Sequence, residues 1–244
     1  QRAVLGFHAT LGKDVTLSEL MYRNSEVIRK QMEVVVDQFS RNNVEILYGS
    51  ASLLGPKTLS VKSASGASDE LSSVIIIIAT GSRTAHPNGL PFDSEQIYDS
   101  DSILGLNRIP DNMAVIGGGV IGCEYACIFA ALGVKITLVE KKERLLGFAD
   151  EEIVTNLMYW MRHSGVTLRL KETVVDITVE RPGRVVTRLE SGKIIVTQKL
   201  LYTMGRVGNT YGLNLQALGI EVDSRGLIKV DGSYRTSVGS IYAI

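Results

Sequence analysis

Apolar residues at Leu17, Leu20, Met21, Val27, Ile28, Met32, Val35 and Phe39 recur at a spacing of three and four. That is the signature of one helix face, and Arg23, Glu26, Arg29, Lys30 and Glu33 fall mostly on the other. Thr16-Leu17-Ser18-Glu19 reads as a capping box that opens the helix, and Arg41-Asn42-Asn43 should close it. The period then drops to two, predicting strands over residues 44–48 and Thr58–Lys62 around a loop at Gly55-Pro56-Lys57. Residues 74–79 are a nearly unbroken β-branched run. Such a run predicts a strand buried on both faces, as in the middle of a parallel sheet, ending at Thr80-Gly81-Ser82. Residues 83–110 hold three of the five prolines and show no clear period, so they read as a connector between domains.

The second half is more regular. A strand over residues 113–116 leads into Gly117-Gly118-Gly119-Val120-Ile121-Gly122, a helical stretch to Gly133 and a strand over residues 135–140. This is a βαβ unit of the expected length. A helix follows over residues 150–163, with Asp150 as its cap and Gly165 as its terminator, then a strand over residues 166–170. Residues 174–180, 184–189 and 193–196 alternate as an antiparallel meander, turning at Arg181-Pro182-Gly183 and Glu190-Ser191-Gly192. Residues 199–204 return as a buried strand that ends in Gly205.

Composition narrows the classes. In 244 residues, 26 basic side chains balance 26 acidic ones, which leaves no electrostatic footprint for nucleic acid or an anionic membrane. A hydrophobic fraction of 45% suits a core-forming chain, and no apolar run is long enough to span a bilayer. Two cysteines make no disulfide scaffold, and a cytoplasmic location is expected. His8, His86 and His163 lack metal-ligand spacing, so no metal site is expected.

The glycine run sits where phosphate chemistry needs it. Gly117 allows the tight turn out of the strand, Gly119 lets backbone approach a pyrophosphate, and Gly122 lets the helix pack close to the sheet. Glu140 ends the second strand, 23 residues after Gly117, where a carboxylate accepts from ribose hydroxyls and repels a 2′-phosphate. Lys141, Lys142 and Arg144 follow at once; two readings stay open for them, a hold on a 2′-phosphate and a solvated turn. Cys123 and Cys127 read as small residues packed against the sheet, because an i, i+4 pair is too far apart for a disulfide. Glu124, between them, either pairs a cation or carboxamide near the nicotinamide or is a surface helix charge.

Three motifs occur in order: Ala79-Thr80-Gly81-Ser82-Arg83, Val115 to Ala126 around the glycine turn, and Met204-Gly205-Arg206-Val207-Gly208-Asn209-Thr210. Together they resemble the two-dinucleotide-fold flavoprotein disulfide reductase superfamily. The segment Ile97-Tyr98-Asp99-Ser100-Asp101-Ser102-Ile103-Leu104, and Gly208 where the superfamily more often has Pro, look like the soluble pyridine nucleotide transhydrogenases. The resemblance implies an α/β, two-dinucleotide-binding-domain flavoprotein fold, truncated. It would comprise a Rossmann-like NAD(P) domain with an antiparallel β-meander, plus part of an FAD domain. The implied limits are residues 1–108 for the C-terminal part of the FAD domain with connector, 109–236 for the NAD(P) domain, and 237–244 for a return strand.

The implied activity is hydride transfer between NADPH and NAD through FAD, in a parent expected to be a homo-oligomer. A disulfide reductase of the lipoamide type and a nucleotide-binding module without turnover are the alternatives. Carried over by position, Gly117, Gly119 and Gly122 would hold the pyrophosphate and Glu140 the ribose. Glu124 would lie near the nicotinamide, Gly205-Arg206 would form a turn closing over the cofactor, and Ala79-Thr80-Gly81 would lie where two domains meet. The flavin fingerprint, a second GxGxxG, does not occur in the sequence, and the chain is expected to be an internal, inactive slice of such an enzyme.

Overall fold

The computed structural model describes residues 17–87, 89–92 and 95–244. Thr16, and with it the expected capping box, lies outside the described residues, as does His8. In chain order the elements are α1 (Leu17–Arg41), β1 (Ser50–Gly55), β2 (Thr58–Lys62), β3 (Ser68–Ser72), β4 (Ile76–Ile78) and β5 (Ser82–Thr84). They continue with β6 (Ile97–Tyr98), β7 (Asn112–Ile116), α2 (Val120–Ala131), β8 (Lys135–Glu140), α3 (Glu151–His163) and β9 (Thr167–Leu170). The last are β10 (Val174–Arg181), β11 (Arg184–Leu189), β12 (Ile194–Thr197), β13 (Lys199–Tyr202), β14 (Arg206–Gly208) and β15 (Ile241–Ala243).

The chain divides into two compact units. One takes the chain up to Val35 together with His86–Met204; the other takes Val36–Ala85 and Gly205–Ile244. This differs from the expected limits of 1–108, 109–236 and 237–244. Residues 205–236 leave the first unit because β14 pairs antiparallel with β5, and Leu53 donates its backbone N–H to the Leu213 carbonyl at 3.0 Å.

In the first unit a parallel sheet in the order β6-β13-β7-β8-β9 carries the core. The sequence of β7, Asn112-Met113-Ala114-Val115-Ile116, has no polar residue after its first, because both its faces are covered. Met113 and Val115 pack with Cys123, Ala126 and Phe129 of α2, while Ala114 and Ile116 pack with Ile177, Val185 and Leu189 of the meander β10-β11-β12. Helices, parallel sheet and meander thus make three layers, as the expected Rossmann-like domain with a β-meander requires. The connector supplies more than linkage: its Ile97–Tyr98 pairs parallel with β13. Asp99 fixes the turn that follows, with Oδ1 accepting from the Asp101 N–H at 2.9 Å and the Ser102 N–H at 2.7 Å.

In the second unit β1-β2-β3 form an antiparallel sheet, and β4 pairs parallel with β15. Two expectations are corrected here. Residues 44–48 form no strand; all five are exposed, and pairing begins only at Ser50. The β-branched run is not buried on both faces: Ile76 and Ile78 are buried, but Ile77 is 62% exposed, because only one side of the two-stranded pair is covered. On α1, the stripe Val27, Ile28, Met32, Val35 and Phe39 is likewise exposed and joins no buried cluster among the described residues. No helix among the described residues is long and apolar enough to cross a membrane.

Candidate functional site

The C-terminal ends of β7, β8 and β13 frame a cavity of about 390 Å³, with Gly117, Gly118 and Gly119 on one side and Glu140 to Lys142 on another. Its position, beyond the carboxyl ends of parallel strands, is where open α/β sheets take ligands. Each glycine of the turn has a separate reason to be there. Gly117 has φ +110°, and a Cβ would sit 2.9 Å from the Thr203 carbonyl oxygen. At Gly118 a Cβ would meet the Leu145 side chain at 2.5 Å, and at Gly122 it would lie 2.0 Å from the Gly117 carbonyl oxygen. These positions are closed by packing within the protein.

Gly119 is different. Its φ of −77° suits any residue, and a Cβ there would meet nothing within 4 Å. The fold does not need a glycine at this place. A group approaching the backbone would, and that is the role expected of Gly119 from the spacing.

Helix α2 begins at this point without a cap. Gly119 gives no side-chain hydrogen bond, and the first turn holds no acid. Helix α3 of the same unit is finished in the usual way: Asp150 accepts from the N–H groups of Glu152 and Ile153, and Glu151 and Glu152 fill the first turn. The first N–H groups of α2 lack intrahelical partners and face the cavity end of the helix, with the positive end of its dipole behind them. An anion such as a pyrophosphate satisfies both.

Glu140 joins the two walls. Its Oε2 accepts from the Gly118 N–H at 2.6 Å and its Oε1 from the Lys142 N–H at 2.8 Å. The Gly118 carbonyl in turn accepts from the Leu146 N–H at 3.0 Å, so the whole Gly118 peptide is held by the loop after β8. Each carboxylate oxygen keeps a second lone pair for an incoming hydroxyl. The structure also adds Thr203, which sequence spacing did not single out. Its Oγ1 donates to the Ile116 carbonyl at 2.8 Å and lies 3.2 Å from that of Gly117, fixing the turn from β13. Only its place at the end of a buried strand beside the glycine turn could have pointed to it.

The remaining candidates lie elsewhere. Glu124 is exposed on α2 and does not line this cavity. Ala79, Thr80, Gly81, Gly205 and Arg206 belong to the second unit, where two of the motifs hold each other. Arg206 Nε donates to Ser82 Oγ at 2.8 Å and its NH2 to the Ser82 carbonyl at 2.5 Å. Asn209 donates from its side chain to the Thr80 carbonyl and from its backbone to the Gly81 carbonyl, each at 3.0 Å. Of these residues Thr80 and Gly81 border a second cavity of about 220 Å³, together with Ala243 and Ile244, whereas Gly205, Arg206 and Asn209 do not line it.

Burial disfavours the thiolate at both cysteines. Burial, then Cys127 and the carboxylates of Glu140 and Glu124, push the Cys123 thiol up to about 12, and burial also raises Cys127. Both are free thiols, and Cys123 Sγ points at the Gly118 carbonyl at 3.6 Å. A neutral thiol is a poor nucleophile. Titration of the native chain with a thiol reagent at pH 8 should therefore label Cys123 only on unfolding; rapid native labelling there would contradict the packing role. Among the described residues no cluster of His, Cys, Asp or Glu could hold a metal ion.

Residues 5–244 match the family model described as pyridine nucleotide-disulphide oxidoreductase. A soluble pyridine nucleotide transhydrogenase of Mycobacterium bovis is 41% identical over 245 residues, covering 100% of this chain and 52% of the relative. One from Colwellia psychrerythraea is 40% identical over 232 residues, 95% of this chain and 50% of the relative. The chain thus spans about half the length of the curated relatives it matches. Among solved structures, LpdA of Mycobacterium tuberculosis superposes with a TM-score of 0.87 at 26% identity, over 98% of this chain and 52% of that one. The HOCl-induced flavoprotein disulfide reductase RclA of Escherichia coli gives 0.82 at 27% identity, over 92% and 51%.

Proposed function

The chain belongs to the pyridine nucleotide-disulphide oxidoreductase family, and from that premise we propose that its first unit is the nicotinamide-nucleotide site of a soluble NAD(P) transhydrogenase. The observation that carries the nucleotide reading is the open space in front of Gly119 at the uncapped start of α2. The pyrophosphate lies against Gly119 and the first N–H groups of α2, and the adenosine ribose hydroxyls reach Glu140. Water is displaced from donors that no other group satisfies, so the exchange favours the anion.

The second unit offers one edge of a flavin site. The Thr80–Gly81 backbone, beside Ala243 and Ile244, borders a cavity too small for a whole dinucleotide and open enough for part of one. Those residues would hold one side of FAD, which when bound supplies a carrier for two electrons and a proton. What this chain's residues contribute is position: the Arg206–Ser82 and Asn209–Thr80 bonds keep that edge rigid. The carriers in question are NAD(H), NADP(H) and FAD, and hydride passes between NADPH and NAD.

Transhydrogenase is preferred to disulfide reductase because the curated relatives at 40–41% identity carry that name, whereas the disulfide reductase RclA matches at 27%. The test is reduction of thio-NAD by NADPH in a flavin-loaded protein that carries this chain. Transfer between the nucleotides is expected. Reduction of a disulfide substrate without such transfer would overturn the reading.

A further inference from the structure

The opposite edge of the parallel sheet carries a second basic recess. Asn112, the first residue of β7, and Gln198, just before β13, meet Thr197 and the turn Arg181-Pro182-Gly183-Arg184 around a cavity of about 270 Å³. It lies at the amino ends of the strands, roughly 15 Å, the length of β7, from the nucleotide cavity at their carboxyl ends. Among the described residues, two arginines and no acid line it. Arg181 and Arg184 are direct cross-strand partners in the register of β10 and β11, and like charges so placed cost stability. Glu180 relieves only one of them, accepting from Arg184 Nε at 2.7 Å. The Arg181 side chain has no partner among the described residues. The fold holds the walls of the recess and leaves its donors open. Buried Gln96 pins the turn, its Oε1 accepting from the Gly183 N–H at 2.7 Å. Asn112 Oδ1 accepts from the Gln198 N–H at 2.8 Å, and Gln198 Nε2 donates to Asp111 Oδ2 at 2.8 Å. What remains is Arg181, the terminal nitrogens of Arg184, Asn112 Nδ2 and the Thr197 hydroxyl. Thr197 is 5% exposed, and its Oγ1 is buried with no hydrogen-bond partner, a cost to the folded chain that an acceptor reached from the cavity would lift.

We propose that this recess is a phosphate subsite, separate from the nucleotide cavity, which takes inorganic phosphate or the phosphate group of a small monoester. Arg181, Arg184, Asn112 and Thr197 offer N–H and O–H donors with two positive charges and no opposing acid. That set suits a tetrahedral dianion, whose oxygens guanidinium groups bind in pairs. The volume falls below the roughly 300–1,000 Å³ of sites that enclose a drug-sized ligand. A phosphate head therefore fits, and the organic part of a monoester projects into solvent. The residues belong to the meander and to the far edge of the sheet, so the proposal does not depend on the nucleotide reading of the other cavity.

The experiment titrates the 244-residue chain, and its Arg181→Gln/Arg184→Gln and Thr197→Val variants, with inorganic phosphate and separately with glycerol 3-phosphate. Sodium chloride holds the ionic strength constant, and calorimetry and Tm report binding with and without saturating NADH. The parent should bind phosphate saturably, and NADH should leave that binding in place. The arginine variant should lose about tenfold or more in phosphate affinity. Its Tm without phosphate should stay at or above that of the parent, because a like-charge pair is gone. Thr197→Val fills the same space without a hydroxyl, so it should keep or raise Tm and weaken phosphate binding by about threefold. Tighter binding of glycerol 3-phosphate than of inorganic phosphate would assign the subsite to a monoester, and the reverse order would assign it to the free ion. Phosphate binding that NADH abolishes, an equal response to chloride alone, or an unchanged phosphate affinity in the arginine variant would overturn the subsite.

Discussion

Gly119→Ala is expected to keep the fold and lose the nucleotide. The new methyl group meets no protein atom, so the cost to stability is that of replacing glycine at a helix N-cap, about 0.5–1 kcal/mol. For a chain of this size that lowers Tm by about 1–4 °C. The same methyl group stands where the pyrophosphate must approach the backbone, and NADH affinity should fall by about tenfold or more, roughly 1.4 kcal/mol. Gly122→Ala should do the reverse. Its Cβ would fall 2.0 Å from the Gly117 carbonyl, so β7, the turn and α2 cannot all keep their places. The loss should be about 3 kcal/mol or more, the upper range for overpacking against backbone. Thermal unfolding and NADH titration of the two variants side by side separate a glycine kept for a ligand from one kept for packing. Equal stability losses, or unchanged NADH affinity in Gly119→Ala, would contradict this division.

Glu140 should show the next largest effect, because it does two jobs. Glu140→Arg removes the acceptor of the Gly118 and Lys142 N–H groups and places a cation beside the ribose. Affinity for NADH should fall by about tenfold or more, and the ratio of the NADH to NADPH dissociation constants should move toward NADPH. Glu140→Gln keeps an acceptor for one of the two N–H groups and loses the charge, so it should fall between parent and Arg variant. If the ratio stayed constant across all three proteins, Glu140 would not be the ribose contact.

The βαβ unit that carries the glycine turn is more legible in the sequence than the pairings between distant segments. Gly117, Gly119, Gly122 and Glu140 can be named as candidates from spacing, because a strand, a turn and a helix N-terminus in succession leave few ways to place a phosphate. Even so, the spacing gave all three glycines a place in one motif. Only the contacts divide them into Gly117 and Gly122, which the fold requires, and Gly119, which it does not. The cations at Lys141, Lys142 and Arg144 could not be decided from a one-dimensional pattern, since a solvated turn and a phosphate subsite have the same composition. The structure places all three on the lining of the cavity beside Glu140, with Arg144 paired to Glu151 at 3.8 Å.

Errors arose where pairing partners are distant or patterns weak. Residues 44–48 alternate as a strand should, but they find no partner strand. Ser68–Ser72 is a strand with one half-buried residue, Leu71, so no apolar alternation marked it; its bonds to β2 define it. Gly205 and Arg206 follow β13 in sequence. The chain instead turns away at Met204, and Arg206 binds Ser82, which lies 124 residues earlier. A pairing that remote leaves no trace in local periodicity.

The central claim is that the cavity beyond β7 and β8 binds a nicotinamide dinucleotide through the start of α2. Titration of the 244-residue chain with NADH, followed by calorimetry together with a melting curve at each concentration, tests it most directly. Saturable binding of one NADH per chain is expected, with a Tm that rises with ligand concentration and loss of both in Gly119→Ala. A folded chain whose heat signal and Tm do not respond to millimolar NADH would contradict it.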